Sequence, residues 1–277
     1  MMKLTTFKIA RRALLAMAAI LPFALPSAAS ARSVAEAKAA GTVVIGIQGD
    51  NAPWGFINSS GEQDGFDADI GKAFAKYLGV KVQFVPLAVA NRIPALMTGK
   101  VDVLFATMGM TPERAKTIQY SIPYAGNVIS LYGPKDKVMK TFKDLAGMTI
   151  GVPKSSAQDN AVTAAVGKTA TILRFDDDAA TIQALLSGQV QAVGGNQFYG
   201  DRLDQASKGK YESKIDLVTL YNGAGTRPGE KDWNETVNAF LKKIISDGEL
   251  KPIYTKWMKR PVPQFPASIP NIPFTVQ

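Results

Sequence analysis

Thr111-Pro112-Glu113-Arg114 sets an arginine in the first turn of a short helix, with Thr111 as its cap and Pro112 at its first position. The dipole of a helix disfavours a cation there, so Arg114 is expected to serve something other than its own helix. Its planar guanidinium fork matches a carboxylate bidentately, and a dry cleft strengthens that pair. A second helix start, the turn VPKSSAQ, offers Ser155, Ser156 and Ala157. Amides there can face a carboxylate while Ser156 caps the helix. Asp176-Asp177-Asp178 could supply acid and base groups, but reads first as an acidic loop with Asp178 capping the helix that follows. Cysteine and histidine are both absent from the 277 residues. That excludes Ser-His-Asp triads, Cys-His pairs, disulfides, and thiolate or imidazole zinc sites. It also removes the cysteine a lipid anchor needs. Arginines, hydroxyls and backbone amides readily make a binding protein; a hydrolase would have to rely on carboxylates.

The elements that position these groups begin after a leader. Lys3, Lys8, Arg11 and Arg12 form a basic start, Ala13–Leu25 is apolar but for one proline, and Ala29 and Ala31 make a small-residue cleavage site. This is the pattern of a secretory signal peptide over residues 1–31, too short to span a bilayer. General export ranks ahead of the twin-arginine route that Arg11-Arg12 could signal. Cleavage after Ala31 leaves 246 of the 277 residues and lowers the formal charge from +9 to +5, because the leader holds four cations and no acid. The basic balance is therefore no nucleic-acid footprint.

Strands then alternate with helices. TVVIGI (42–47), KVQFVPL (81–87) and VDVLFAT (101–107) read as strands, separated by helices at 67–79 and 93–98. The rhythm restarts with TIGVP (149–153), a helix near 159–166, TILRF (171–175), a helix at 178–187 and QAVGG (191–195). IPALMTGKVDVL (93–104) and IQALLSGQVQAV (182–193) match in residue class and occupy the same place in their series. The expected fold is α/β with two similar lobes, mostly parallel sheets flanked by helices, and a ligand cleft at the carboxyl ends of the strands. The two helices read from 231–258 have no strand series of their own to cover, so they should pack back on the first lobe. The first lobe is then 32–131 and 222–277, and the second is an insertion at 132–221. The chain crosses between them twice, at VISLYGPK (128–135) and LYNGAG (220–225), which permits hinge closure. PVPQFPASIPNIPF should lie extended on the surface.

GFDADIGKAF (65–74), following APWGF and NSSGEQD, resembles the signature of periplasmic amino-acid-binding proteins of ABC transporters. ALMTGKVDVLFATMGMTPERAKTIQYSIPY (95–124), DLAGMTIGV (144–152) and DGELKPIYTKW (247–257) extend the likeness in order over residues 41–260. The resemblance implies a two-lobed receptor for a polar amino acid or a derivative, with no catalysis and no cofactor or metal. It further implies a periplasmic monomer that hands its ligand to a membrane permease and binds no nucleic acid.

By the same resemblance Arg114 grips the ligand α-carboxylate, and Thr107, Met108 and Gly109 form the turn that offers backbone amides. Gly109 stands where many members have serine or threonine, so its amide remains but that hydroxyl contact is lost. Ser156 and Ala157 close from the second lobe. Asn51 and Trp54 belong to the loop that bears aromatics in the family. Arg92, in NRIP, matches the members that hold a second acid, which favours an acidic or amide-bearing ligand. Asn51 and Val89 stand where binders of basic amino acids stack rings, against lysine or arginine. Asn196 stands where typical members place an aspartate for the ligand ammonium; Asp50 or Asp178 could compensate. The alternative from the same fold is a carboxylate-assisted enzyme resembling cyclohexadienyl dehydratase.

Overall fold

The computed structural model describes residues 31–276. The leader expected over 1–31 thus lies, except for Ala31, outside the described residues.

A helix α1 (Val34–Ala39), closed by a capping box between Ser33 and Glu36, leads into strand β1 (Thr42–Ile47). A small antiparallel sheet follows, β2 (Asp50–Asn51), β3 (Gly55–Ile57) and β4 (Gln63–Asp64). Next come α2 (Phe66–Leu78), β5 (Lys81–Pro86), α3 (Arg92–Met97), β6 (Val103–Leu104) and α4 (Pro112–Ala115). A long strand β7 (Gln119–Pro134) leads out to β8 (Thr149–Pro153), α5 (Ala157–Val166), β9 (Thr171–Phe175), α6 (Asp178–Leu186), β10 (Ala192–Asn196) and α7 (Tyr199–Ala206). Strand β11 (Tyr211–Thr226) returns, and α8 (Lys231–Ser246) and α9 (Leu250–Met258) follow.

Eight strands join in the order β5-β1-β6-β11-β7-β10-β8-β9. Each flank is parallel, β5-β1-β6 on one side and β9-β8-β10 on the other. Between them β7 and β11 run antiparallel from Gln119↔Thr226 to Pro134↔Tyr211, with several register shifts. The two matching sequence windows are α3–β6 and α6–β10, and they occupy equivalent places: β6 abuts β11 and β10 abuts β7. The first lobe packs Ile45, Phe74 and Phe105 with Trp233, Val237 and Phe240 of α8, which is where the tail helices were expected. The second lobe buries Leu131, Ile150, Val152 and Val162 on one face and Ile182, Leu185, Val193 and Tyr199 on the other.

Helix α2 follows its pattern: Phe66, Ile70, Phe74 and Leu78 are buried, and Gly79 ends it with a φ of 75°, which costs a glycine little. The strand expected over 101–107 pairs only at Val103–Leu104. Beyond it the backbone turns to side chains, Ala106 O accepting from Arg92 and Thr107 N donating to Asp67. The outer part of β11 is not read as a strand from the sequence, although Ile215 and Leu217 alternate with Lys214 and Asp216 and pack against the second-lobe core. The proline-rich tail is extended and also anchored. Gln119 Nε2 donates to Pro273 O (2.7 Å), Asn238 Nδ2 donates to Phe274 O (2.8 Å), and Ile272 is buried. No helix among the described residues is long and apolar enough to cross a membrane.

Candidate functional site

The carboxyl ends of β1, β5 and β6 face those of β8 and β9 across a narrow cleft, the place an open α/β sheet presents its ligands. Asn51, Arg92, Thr107, Arg114, Ser156 and Ala157, six of the residues named from the sequence, line the cleft, although the Thr107 amide and hydroxyl turn away to Asp67.

Arg92 opens α3 and is 2% exposed. Its Nη1 donates to Ala106 O at 2.6 Å, whereas Nη2 is buried without a partner. Burial lowers its pKa to about 10, against the opposing pull of Asp178, so the guanidinium stays charged at neutral pH. Arg114 donates through Nη1 to Gly109 O (3.1 Å) and through Nη2 to Ser155 O (2.9 Å), tying the two lobes together. Thr111 caps its helix, with Oγ1 accepting from Arg114 N. On the facing side Ser156 Oγ accepts from Asp159 N at 2.9 Å, the cap expected for α5.

The turn after β6 is held from below. Thr107 adopts a φ of 51°, a left-handed conformation unusual for a threonine. Its amide and hydroxyl both donate to Asp67 Oδ2 (2.7 and 3.1 Å), and Tyr124 Oη donates to Asp67 Oδ1 at 2.8 Å. This gives the first aspartate of GFDADI a role: it fixes the Thr107 turn while fully buried itself. Burial raises its pKa to about 6 despite those three donors. The second aspartate, Asp69, instead ties α2 to α9 by accepting from Lys256 Nζ and Trp257 Nε1, each at 2.7 Å.

Four other expected residues stand apart from the cleft wall. Trp54 is fully buried, packed edge-on against Phe66 and Phe198. Met108 is buried in the first-lobe core. Gly109 supplies its carbonyl to Arg114 and Tyr120, while its amide donates to Thr107 O. A Cβ added to Gly109 would lie 3.2 Å from Ala157 Cβ of the other lobe, so glycine permits close approach of the lobes. Asn196 Nδ2 donates to Asn51 Oδ1 (3.1 Å), and its Oδ1 is taken by Phe198 N (3.0 Å).

Asp178 requires a correction. The cap of α6 is Asp177, in an extended conformation, whose Oδ1 accepts from Ala180 N at 2.7 Å. Asp178 is the first helical residue, 1% exposed, and lines the cleft. Its carboxylate accepts from Gln48 Nε2 (2.5 Å), Tyr199 Oη (2.6 Å) and Gln158 Nε2 (3.4 Å). Burial, and secondarily Asp50, raises its pKa.

Sequence reasoning overlooked Gln48, Asn127 and Gln158, all of which line the cleft. Gln48 follows β1 at its carboxyl end, a position that could have flagged it. Asn127 lies within β7 and carries no motif signal; its Oδ1 is buried without a partner.

A family model for bacterial extracellular solute-binding proteins, family 3, matches residues 43–260. The ABC transporter glutamine-binding protein GlnH of Bacillus subtilis is 34% identical over 224 residues, covering 78% of this chain and 81% of that protein. The L-cystine-binding protein TcyJ of Escherichia coli K12 is 25% identical, covering 87% of this chain and 94% of its own. Among solved structures, the solute receptor for L-cysteine of Neisseria gonorrhoeae superposes with a TM-score of 0.77 at 29% identity, over 82% of this chain and 94% of that one. The match over 43–260 places this chain in the bacterial extracellular solute-binding proteins, family 3, whose relatives named above are binding proteins and solute receptors, not enzymes.

Proposed function

We propose that this protein captures an amino acid with a second acidic or amide group outside the cytoplasm, and delivers it to an ABC permease. The observation that carries this reading is the unpartnered, buried Nη2 of Arg92 in the same cleft as Arg114. A buried charged donor without a partner is costly, and a ligand acceptor removes that cost. The two guanidiniums suit two acceptor groups on one molecule, the α-carboxylate at Arg114 and the side-chain acid or amide at Arg92. The unpartnered Asn127 Oδ1 suits a ligand donor, such as an amide nitrogen or an ammonium. The glutamine named for the Bacillus subtilis relative has the same arrangement of groups.

Closure of the lobes is the mechanism. Arg114 on Ser155 O and Asn196 on Asn51 join the two sides, and a ligand between them adds contacts to both. The closed form then presents both lobes to the permease, and opening releases the ligand. We place the mature monomer, residues 32–277, in the periplasm, after removal of a leader.

The test is a thermal-shift screen of residues 32–277 against L-glutamine, L-glutamate, L-cystine, L-cysteine and L-arginine. A ligand present at 100 times its Kd adds about 2.7 kcal/mol of stability. Glutamine or glutamate is expected to raise the melting temperature more than arginine does. A screen in which no amino acid raises it would overturn the reading.

A further inference from the structure

Gln48 Nε2 sits between two carboxylates, 2.5 Å from Asp178 Oδ2 and 3.1 Å from Asp50 Oδ1. A neutral amide nitrogen there bridges two acids where a cation would be expected. Among the described residues no cationic side chain forms a salt bridge with either acid. Arg202, the nearest candidate, donates instead to Asn51 Oδ1 (3.1 Å) and to the backbone carbonyl of Asp50 (3.0 Å). A carboxylate as buried as Asp178 is ordinarily paired.

On the proposed function, which this inference requires, we infer that Asp178, with Asp50 beside it, receives the ammonium of the ligand in place of Asn196. Asn196 fills the role poorly, because its oxygen is uncharged and already accepts one bond. Its oxygen accepts from Phe198 N, and its nitrogen is a donor like the ammonium itself. Asp178 has the opposite character. Its three protein partners, Gln48, Gln158 and Tyr199, all donate, which suits an ionised carboxylate. Burial first, and Asp178 next, push the Tyr199 phenol well above its ordinary range, so it remains a donor.

The support behind Asp178 is built into the neighbouring strand. A Cβ on Gly195 would fall 2.1 Å from the Tyr199 ring, so only glycine lets that ring lie on β10 and reach Asp178. Asp50 Oδ2 accepts from Asp178 N (2.9 Å) and Ala179 N (3.3 Å), anchoring the start of α6 to the first lobe. The ammonium would take the bridging position of the Gln48 amide, and that flexible side chain swings aside. Arg92 and Arg114 then face the two carboxylates of an acidic amino acid, and Asp178 with Asp50 faces its ammonium.

The test is titration calorimetry of L-glutamate and of glutarate, its analogue without the amine, against the wild type, Asp178→Asn and Asn196→Ala. Charge-assisted contacts predict that Asp178→Asn weakens glutamate by about tenfold or more, and glutarate by much less. Asn196→Ala should change glutamate binding less than Asp178→Asn does. A glutamate loss in Asp178→Asn smaller than about tenfold overturns the inference, as does an equal loss for glutarate, which would mark a merely structural role. Wild-type protein that binds no amino acid instead overturns the reading of function on which the inference rests.

Discussion

Replacing Asp67 by asparagine should stabilise the protein at about pH 7.5 and change it little at about pH 4. The Asp67 carboxyl is completely buried, and its pKa rises from an ordinary 3.8 to about 6, chiefly through loss of hydration. Below the lower value the proton is bound in both the folded and the unfolded chain. Between the two values the unfolded chain ionises first, so the contribution of Asp67 to stability falls as pH rises, and it levels off above about 6. A gap of about two pKa units at 1.36 kcal/mol each corresponds to about 3 kcal/mol. Asparagine preserves the geometry: its oxygen can accept from Thr107, and its amide can donate to a reoriented Tyr124 hydroxyl. It removes the buried charge that wild type carries above pH 6. For a chain of this size 1 kcal/mol moves the melting temperature by roughly 2–4 °C, so the gain at neutral pH is about 6–12 °C. Thermal unfolding of both proteins, followed by circular dichroism at the two pH values, measures it. Taking the difference between the proteins cancels every other titrating group. A difference that is the same at both pH values would refute the reasoning.

Arg92→Gln should weaken glutamate by about 1.5–3 kcal/mol, or roughly 10–150-fold, while glutamine loses less; calorimetry that leaves the glutamate-to-glutamine ratio unchanged would show that Arg92 holds no ligand acid. Gly195→Ala must expel the Tyr199 ring from β10, with an expected cost of about 1–3 kcal/mol in urea unfolding; an unchanged midpoint would mean the ring has room to spare. Asp50→Ala removes a carboxylate that accepts two amides at the start of α6 across the lobes. A loss of about 0.5–2 kcal/mol from the closed form should enlarge the radius of gyration in solution scattering, and an unaltered profile would remove Asp50 from the closure.

Much of the fold was legible because its parallel strands are short apolar runs and its helices end at glycine. TVVIGI, TIGVP and TILRF form strands with the boundaries read from them. What escaped was β11, whose outer half mixes charged residues with Ile215 and Leu217, shifts register twice and is held by pairing with β7 along its length. Pairing of that kind is a tertiary property that local pattern does not carry. The cleft divides the same way. Arg114 was legible because a cation in a first helical turn conflicts with the helix dipole, and the structure buries it between the lobes. Asp177 and Asp178 were not separable by sequence, since either aspartate could cap α6 and only the backbone angles assign the cap to Asp177. Asn127 was invisible, because a polar residue in a long strand has no local reason to face a cleft.

The most direct measurement is titration calorimetry of L-glutamate and L-glutamine into residues 32–277, repeated with Arg114→Met. At least one of the two should bind the wild type at one site per chain, and Arg114→Met should weaken it by about tenfold or more, since a charged hydrogen-bond partner of the carboxylate is lost. Binding that survives Arg114→Met undiminished, or a wild type that takes up neither amino acid, would contradict a cleft built to hold an acidic or amide-bearing amino acid by its carboxylate.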